Sequence, residues 1–156
     1  MDATREYDMD SAVGYLIGHA AMRLKIGLRR LFVASGLDVT PEQWVVLFRL
    51  REREGLTQSE LGDRTVKDKT TVTRILDRLG KKGMAVRRRD ARDRRSQRIY
   101  LTDKGITVLD ALMPLVKRYG AEAFADVGTE ERKTLCGLLA RIEVRLDAML
   151  EPKNMA

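Results

Sequence analysis

The chain has little of what enzymes and metalloproteins are built from. Its 156 residues include one cysteine, Cys136, and one histidine, His19. One cysteine excludes a disulfide within the chain and fits a reducing compartment, so the expected location is the cytoplasm. One cysteine and one histidine cannot form a structural zinc site. We find neither a nucleophile–base pattern nor a glycine-rich phosphate loop, so we expect no enzyme activity, no metal and no cofactor.

The sequence also lacks long apolar runs and has few aromatic residues. No segment approaches the ~20 consecutive apolar residues that span a membrane. The acidic N-terminus, MDATREYDMD, has no hydrophobic stretch, so we expect neither a secretory signal nor a membrane partner. Aromatic residues make up 5 % of the chain, which disfavours the stacking platforms that read single-stranded RNA.

Positive charge is plentiful and unevenly placed. The net charge is +7, yet residues 49–98 hold 17 Lys and Arg against 8 Asp and Glu, a balance of +9. Within this segment, seven arginines fall in the run RRRDARDRRSQR, from Arg87 to Arg98. Guanidinium groups at this density stay charged and cannot be buried without partners. We therefore expect a polyanionic partner.

Apolar residues at helical spacing predict long helices towards both ends of the chain. One is predicted from Met9 to Ala34, ending near Ser35-Gly36. Two more follow Thr102; Pro114 is expected to kink the first of them, and Thr129 to cap the second. The apolar stripes exceed what the core of a small domain needs, which is typical of helices that pack against a second subunit.

The middle of the chain has the pattern of a winged helix-turn-helix. Capping boxes at Thr40-Pro41-Glu42-Gln43 and Thr57-Gln58-Ser59-Glu60 mark two helix starts. A bracing helix is predicted over Gln58–Thr65 and a recognition helix over Asp68–Lys82, with a turn through Val66-Lys67. After Gly83 the apolar period becomes alternating, which predicts a hairpin with strands Met84–Arg88 and Gln97–Leu101.

The outer face of the predicted recognition helix favours DNA reading over a plain solvated surface. Thr70, Thr71 and Thr73 are poor helix formers, and a merely solvated face would more often carry Glu, Lys or Gln. Small hydroxyls followed by Arg74 suit close approach to base edges and phosphates. A winged helix that binds protein or RNA, and an enzyme, are the competing classes.

These segments resemble the multiple-antibiotic-resistance regulator (MarR) family of transcription factors. The likeness extends over roughly residues 10–150, and its motifs are LTQSEL (56–61), DKTTVTR (68–74), LGKKG (79–83), DARDRRS (90–96) and YLTDKG (100–105). It implies a mainly α fold with a small β-hairpin wing. The implied organisation is a winged helix-turn-helix over 37–102, between dimerisation helices over 1–36 and 103–156.

The resemblance also implies which residues bind DNA. Hydroxyls of the bracing helix match backbone contacts, the recognition helix matches base and phosphate contacts, and Arg95, oriented by Asp93, matches an arginine inserted in the minor groove. A carboxylate two residues away can hold a guanidinium in one rotamer, which supports this pairing. The predicted set is Thr57, Ser59, Lys67, Lys69, Thr70, Thr71, Thr73, Arg74, Arg78, Asp93, Arg94 and Arg95. Arg87, Arg88, Arg89 and Arg98 are expected to attract phosphates in general.

By the same resemblance, the chain is expected to be a homodimeric repressor of a palindromic duplex operator, with recognition helices ~34 Å apart. A small aromatic or phenolic effector would release the DNA. The alternative is a winged-helix protein that activates transcription or has no small-molecule ligand.

Family ligands bind between the first helix and the DNA-binding lobe, so His19, Arg23, Trp44 and Phe48 are candidate ligand contacts. A surface role for His19 and a core role for Trp44 and Phe48 remain open as alternatives. Oxidant-sensing members carry a cysteine near the first helix. Cys136 departs from that pattern, so we expect an inert thiol.

Overall fold

Apart from one short strand and one 3-10 turn, the secondary structure follows the predicted order of helices and strands. The computed structural model describes residues 8–91, 93 and 95–150. After a 3-10 turn at Met9–Ser11, the elements are α1 (Val13–Ala34), α2 (Pro41–Glu52), β1 (Leu56–Thr57), α3 (Gln58–Thr65), α4 (Lys69–Lys81), β2 (Ala85–Arg89), β3 (Gln97–Leu101), α5 (Asp103–Ala123) and α6 (Thr129–Leu150). The chain falls into two compact units, one up to Tyr119 and one from Gly120 onward.

The two capping boxes read from the sequence are confirmed. At α2 the hydroxyl of Thr40 accepts from the Gln43 amide at 3.3 Å, and the Gln43 side chain accepts from the Thr40 amide at 3.2 Å. Thr57 and Glu60 form the same reciprocal pair at the start of α3. These bonds satisfy amides that a helix start otherwise leaves without partners.

Several predicted boundaries were wrong by a few residues. The first helix begins at Val13, because Met9–Ser11 forms a separate 3-10 turn capped by the Asp8 carboxylate. Thr129 is the first residue of α6 rather than its cap. The residue before it, Gly128, instead donates its N–H to the Glu131 carboxylate at 2.7 Å.

Smaller differences affect the recognition helix, the wing and α5. The recognition helix covers Lys69–Lys81 instead of Asp68–Lys82, because these two residues are its caps. The first wing strand is Ala85–Arg89, one residue later than predicted. α5 continues as a helix through Pro114, the position where we predicted a kink.

A strand that we did not predict from the sequence completes the sheet. The strand order is β1-β3-β2, all antiparallel, and Ile99 of β3 lies opposite Leu56 on one side and Arg87 on the other. With two residues, β1 is too short to show an alternating pattern. It ties the wing to the segment that leads directly into α3.

The core of the first unit is formed by side chains from α1 to α5 and the sheet. Its fully buried apolar members include Phe32, Val46, Leu47, Leu50, Leu56, Leu61, Val72, Leu79, Ile99, Leu109 and Leu112. Burial stabilises each by roughly 1.5–3 kcal/mol. α4 contributes Val72, Ile75, Leu76 and Leu79 from one face, which leaves its opposite face to the solvent.

Large apolar side chains of α1 and α6 remain exposed. On α6 they are Leu135, Leu138, Ile142, Val144, Leu146, Met149 and Leu150. On α1 they are Val13, Tyr15, Leu16, Ile17, Met22, Ile26 and Val33. Most of the α6 residues recur every three or four positions and so share one face of the helix. Contiguous exposed apolar surface of this kind marks an interaction site.

Candidate nucleic-acid interface

The recognition helix α4 begins at a tightly held cap. Asp68 accepts from the backbone amide of Thr71 at 2.8 Å and from its hydroxyl at 2.7 Å. These two bonds, that of the hydroxyl first, lower the pKa of the Asp68 carboxyl. The cap therefore stays ionised near neutral pH, where a negative charge is favourable at a helix N-terminus.

The outward face of α4 is a shallow, mostly basic groove. It is lined by Lys69, Thr70, Thr73, Arg74, Asp77, Arg78 and Lys81. Four of these side chains are cationic and one is anionic. Six of the predicted DNA-binding residues lie on α4, and five of them line this groove. Thr71 lies on the flank, where it faces a cavity bounded by α1 and α2.

The three threonine hydroxyls of α4 are not equivalent. Thr71 donates to the Asp68 cap. Thr73 donates to the Lys69 carbonyl at 2.8 Å and accepts from the amide of Gln58. Of these three hydroxyls, that of Thr70 alone has no such partner among the described residues. Thr70 therefore has a donor free for a base or phosphate, whereas Thr73 presents its methyl group and one remaining lone pair.

The start of α3 and the turn before α4 form a second surface depression. Ser59, Lys67 and Lys69 line it together with Gln58, Gly62 and Asp63. The structure thus brings together three of the predicted contacts from three separate elements. Thr57 lies at the same end of α3, but its hydroxyl is used in the capping box with Glu60.

That capping box has an electrostatic consequence. The amide of Thr57 donates to the Glu60 carboxylate at 2.7 Å and its hydroxyl at 3.0 Å. These bonds, in that order, lower the pKa of Glu60. The carboxylate therefore stays charged at the start of α3, where the helix dipole favours it.

The wing tip is held by its own backbone. Asp90 donates its amide to the Ser96 carbonyl at 3.0 Å, and Ser96 donates to the Asp93 carbonyl at 2.9 Å. The Asp93 carboxylate accepts from the backbone N–H of Arg95 at 3.0 Å. Asp93 therefore holds the backbone of Arg95 in this structure, whereas we had predicted a contact with its guanidinium. The Arg95 side chain is exposed, and Arg94 lies outside the described residues.

Several arginines of the wing arms bind within the protein. Arg98 donates from Nε to the Asp90 carboxylate and from Nη1 to the Gly55 carbonyl at 2.8 Å. The hydrogen bond to Asp90 and the charge of that carboxylate raise the pKa of Arg98. Arg87 pairs with Asp77 of α4 at 2.8 Å. Both arginines, which we predicted to attract phosphates in general, therefore also have partners within the protein.

Arg88 also has a partner inside the protein. Its guanidinium lies over the ring of Tyr100, 5.2 Å from the centroid. The arms of the wing thus use arginine to fix the hairpin, and the tip presents arginine outward. Because the contact of Arg87 reaches α4 and that of Arg98 reaches the residue before β1, the wing is tied to both ends of the helix-turn-helix.

Known proteins of similar sequence identify the family of this chain. The model of the MarR family matches residues 39–97. The HTH-type transcriptional regulator TtmR of Methylorubrum extorquens is 35% identical over 140 residues, which cover 90% of this chain and 70% of that protein. This chain belongs to the MarR family.

Two solved structures extend the likeness of this MarR-family chain. The transcriptional repressor CouR, bound to a 23-mer DNA duplex, is 29% identical with a TM-score of 0.79, covering 88% of this chain and 99% of that one. The PcaV transcriptional regulator of Streptomyces coelicolor, in complex with its natural ligand, is 28% identical with a TM-score of 0.74, covering 88% and 95%. The chain is therefore a DNA-binding transcriptional regulator and not an enzyme.

The four predicted ligand contacts of this MarR-family chain fall into two separate pairs. Trp44 packs against Phe48 and Phe32, with ring centroids 5.9 and 6.4 Å apart. His19 is exposed on α1 and stacks on Tyr15, and Arg23 is exposed on the same helix. Neither His19 nor Arg23 lines the cavities that α1 forms with α2.

Other chemistry is scarce in the described part of the chain. Cys136 is an exposed free thiol on α6. No three His, Cys, Asp or Glu side chains in the described ranges are grouped so that they could hold a metal ion. A search of the same residues finds no helix with the length and apolarity needed to cross a membrane.

Sequence reasoning missed three residues whose contacts link the predicted DNA-binding elements to one another. Gln58, Asp77 and Arg98 each act on an element far along the chain, and Gln58 reaches Thr73 across 15 positions. Periodicity and capping signals report only neighbours within a few residues. The one local signal was Gln58 itself, which follows the capping threonine directly.

Proposed function

We propose that this MarR-family chain is a homodimeric repressor that reads a palindromic operator. α4 would enter the major groove, and Arg95 would enter the adjacent minor groove. The observation that carries the proposal is the division of α4 into a wholly apolar inner face and a basic, hydroxyl-bearing outer face, beside a wing with an exposed Arg95. The DNA complex of CouR supports the partner.

Operator binding is tested by its salt dependence and by Arg95→Ala. With the operator found by genomic footprinting, log K should fall linearly with log salt, by about 0.9 for each phosphate contacted. Arg95→Ala should weaken binding by roughly 1–3 kcal/mol with folding unchanged. Arg51→Ala, which removes the same charge from α2, is the control and should have little effect. Equal affinities for Arg95→Ala and the native chain would contradict the minor-groove role.

The exposed apolar residues of α1 and α6 support the homodimer. Ile142 lies on the stripe of α6, whereas Val144 lies about 200° further round the helix and is 71% exposed. Ile142→Glu should therefore convert the dimer to a monomer in light scattering, and Val144→Glu should leave it dimeric. A monomeric native chain, or equal behaviour of the two variants, would refute this part of the proposal.

We further propose an anionic effector in the cavity between α1, α2 and α4. The cavity measures about 460 Å³, and its lining includes Lys25, Arg29, Arg74 and Arg78. The acidic residue in the wall, Glu42, is paired with Lys25. Burial tends to raise the pKa of Glu42, but the Lys25 pairing and local hydrogen bonds together lower it. The ligand complex of PcaV supports a small-molecule partner.

This location predicts how the effector would release DNA. Arg74 and Arg78 line both the cavity and the outward groove. An anion that draws these guanidinium groups into the cavity would remove them from the operator. The effect is reciprocal, so bound operator should weaken effector binding by the same factor.

A thermal-shift screen with aromatic carboxylates and phenols tests the effector site. A compound that stabilises the chain and releases operator should lose both effects in Arg29→Met. His19→Ala and Arg23→Ala should retain them. If His19→Ala or Arg23→Ala loses the effects and Arg29→Met retains them, the site lies at the residues predicted from the sequence. If the screen finds no active compound, the result favours a regulator without a small-molecule ligand.

A further inference from the structure

One lysine at the end of α4 uses its ammonium group for hydrogen bonds within the protein. Lys82, the C-terminal cap of α4, donates from Nζ to the Asp38 carbonyl at 2.7 Å, the Asp38 carboxylate at 2.9 Å and the Gln43 side-chain oxygen at 3.2 Å. An ammonium has three N–H donors, so each of them has an acceptor. The Lys82 side chain is 22% exposed.

The acceptors belong to the connection between α1 and α2. Asp38 lies in that connection, and Gln43 closes the capping box of α2, where the same oxygen also accepts from the amide of Thr40 at 3.2 Å. Gln43 is 2% exposed. Lys82 therefore joins the end of α4 to the capped first turn of α2.

The backbone fixes the same end of α4 from the other side. The amide of Lys82 donates to the Arg78 carbonyl at 3.0 Å, and that of Gly83 donates to the Gly80 carbonyl at 2.9 Å. Gly83 has a φ of 68°, which glycine adopts without strain. The backbone cap sets the length of α4. Among the side chains at this end of α4 that the structure describes, Lys82 is the one that forms a hydrogen bond to α2.

The neighbouring lysine provides a comparison of equal charge. Lys81 points into the outward groove with Thr70, Arg74 and Arg78, and it has no hydrogen-bond or ion-pair partner among the described residues. Rotation by about 100° per residue places the two ammonium groups on different faces of α4. Lys81 is free to bind a phosphate, and Lys82 is not.

We propose that Lys82 is a positioning residue for DNA reading, which sets how α4 lies against α2 and so aims the base-contacting side chains. The proposal rests on operator binding by α4 as proposed above. A residue that positions the reader should affect specific binding, which needs correct geometry, more than non-specific binding, which depends on charge.

Lys82→Met and Lys81→Met separate positioning from phosphate attraction, since each removes one charge. Affinities are measured for operator and for unrelated duplex over a range of salt. Lys82→Met should lower the ratio of specific to non-specific affinity about tenfold, comparable to one weak bidentate base contact, with an unchanged salt slope. Lys81→Met should weaken both duplexes alike and reduce the slope by about 0.9.

Asp38→Ala tests the same contact from an exposed residue and covers the case in which Lys82→Met fails to fold. The Asp38 side chain is 86% exposed. Removing its negative charge should strengthen DNA binding if charge alone matters. Positioning predicts a loss of the specificity ratio instead, with non-specific affinity equal or higher.

The outcomes are distinct. A slope change in Lys82→Met like that of Lys81→Met, or a specificity ratio unaltered in both Lys82→Met and Asp38→Ala, would overturn the positioning role. A native chain without salt-dependent duplex binding would instead refute the proposed function itself. Circular dichroism and thermal unfolding of each variant verify that the compared proteins are folded.

Discussion

The turn of the helix-turn-helix contains a strained residue, and its replacement should stabilise the protein. Val66 has φ 51° and ψ 52° and is the only non-glycine with positive φ in the described ranges. A left-handed conformation costs an L-residue roughly 1–2 kcal/mol, and branching at Cβ makes valine poorly suited to it. The side chain is 93% exposed, so its removal forfeits almost no buried apolar contact.

We expect Val66→Asn to raise the free energy of unfolding by about 1 kcal/mol, because asparagine tolerates this conformation. Val66→Gly should gain somewhat less, since glycine adds entropy to the unfolded chain, worth roughly 0.5–1 kcal/mol. For a chain of this size, 1 kcal/mol corresponds to roughly 2–4 °C in Tm. The assay is thermal or denaturant unfolding at one fixed protein concentration, since a dimer's apparent stability depends on concentration.

The control is Val66→Ala, which keeps the Cβ atom and should gain less than Val66→Asn. If Val66→Asn unfolds at or below the native temperature, or if Ala and Asn gain equally, then strain at Val66 is not what limits stability. Operator affinity should stay unchanged in all three variants, because Val66 is not among the predicted DNA contacts.

Two further predictions concern packing and pH. Gly105→Ala should destabilise the fold by about 2 kcal/mol, since an added Cβ would lie 2.1 Å from the Met84 carbonyl oxygen. Gly80→Ala is the control and should not destabilise it, because a Cβ there would lie 3.9 Å from its nearest neighbour. Equal free energies of unfolding for the two variants would contradict the assigned clash. The lowered pKa values of Asp68 and Glu60 mean that these carboxylates stabilise the fold above their unfolded values near 4, and that this contribution disappears as pH falls through the folded values. Asp68→Asn, which caps without titrating, should flatten the decline of stability below about pH 4, and an unaltered profile would argue against the cap.

The sequence was most informative where the structure depends on neighbouring residues. Both capping boxes, the turn at Val66 and the buried face of α4 are set by residues within a few positions of each other, and all were predicted. The strand β1 was missed because two residues carry no period, and its partner Ile99 lies more than 40 positions away.

The candidate interface shows the same division. Charge, hydroxyl content and motif spacing indicated the candidate DNA contacts, because those properties belong to single positions. They did not indicate that Arg98 binds Asp90 and the Gly55 carbonyl, or that Asp93 holds the backbone of Arg95. An exposed arginine and an arginine used inside the protein look alike in a sequence, since only the folded chain supplies the partner.

Because α4 has an apolar inner face and a polar outer face, the residues that stabilise the fold are separate from those proposed to bind DNA. Val72, Ile75, Leu76 and Leu79 carry its packing, whereas its outward residues add nothing to the apolar core. Mutations on the outward face can therefore accumulate with little loss of stability, apart from Thr73 and Asp77, whose partners lie on other elements. If α4 reads the operator as proposed, operator preference can change in evolution, or be redesigned in the laboratory, while the scaffold stays the same.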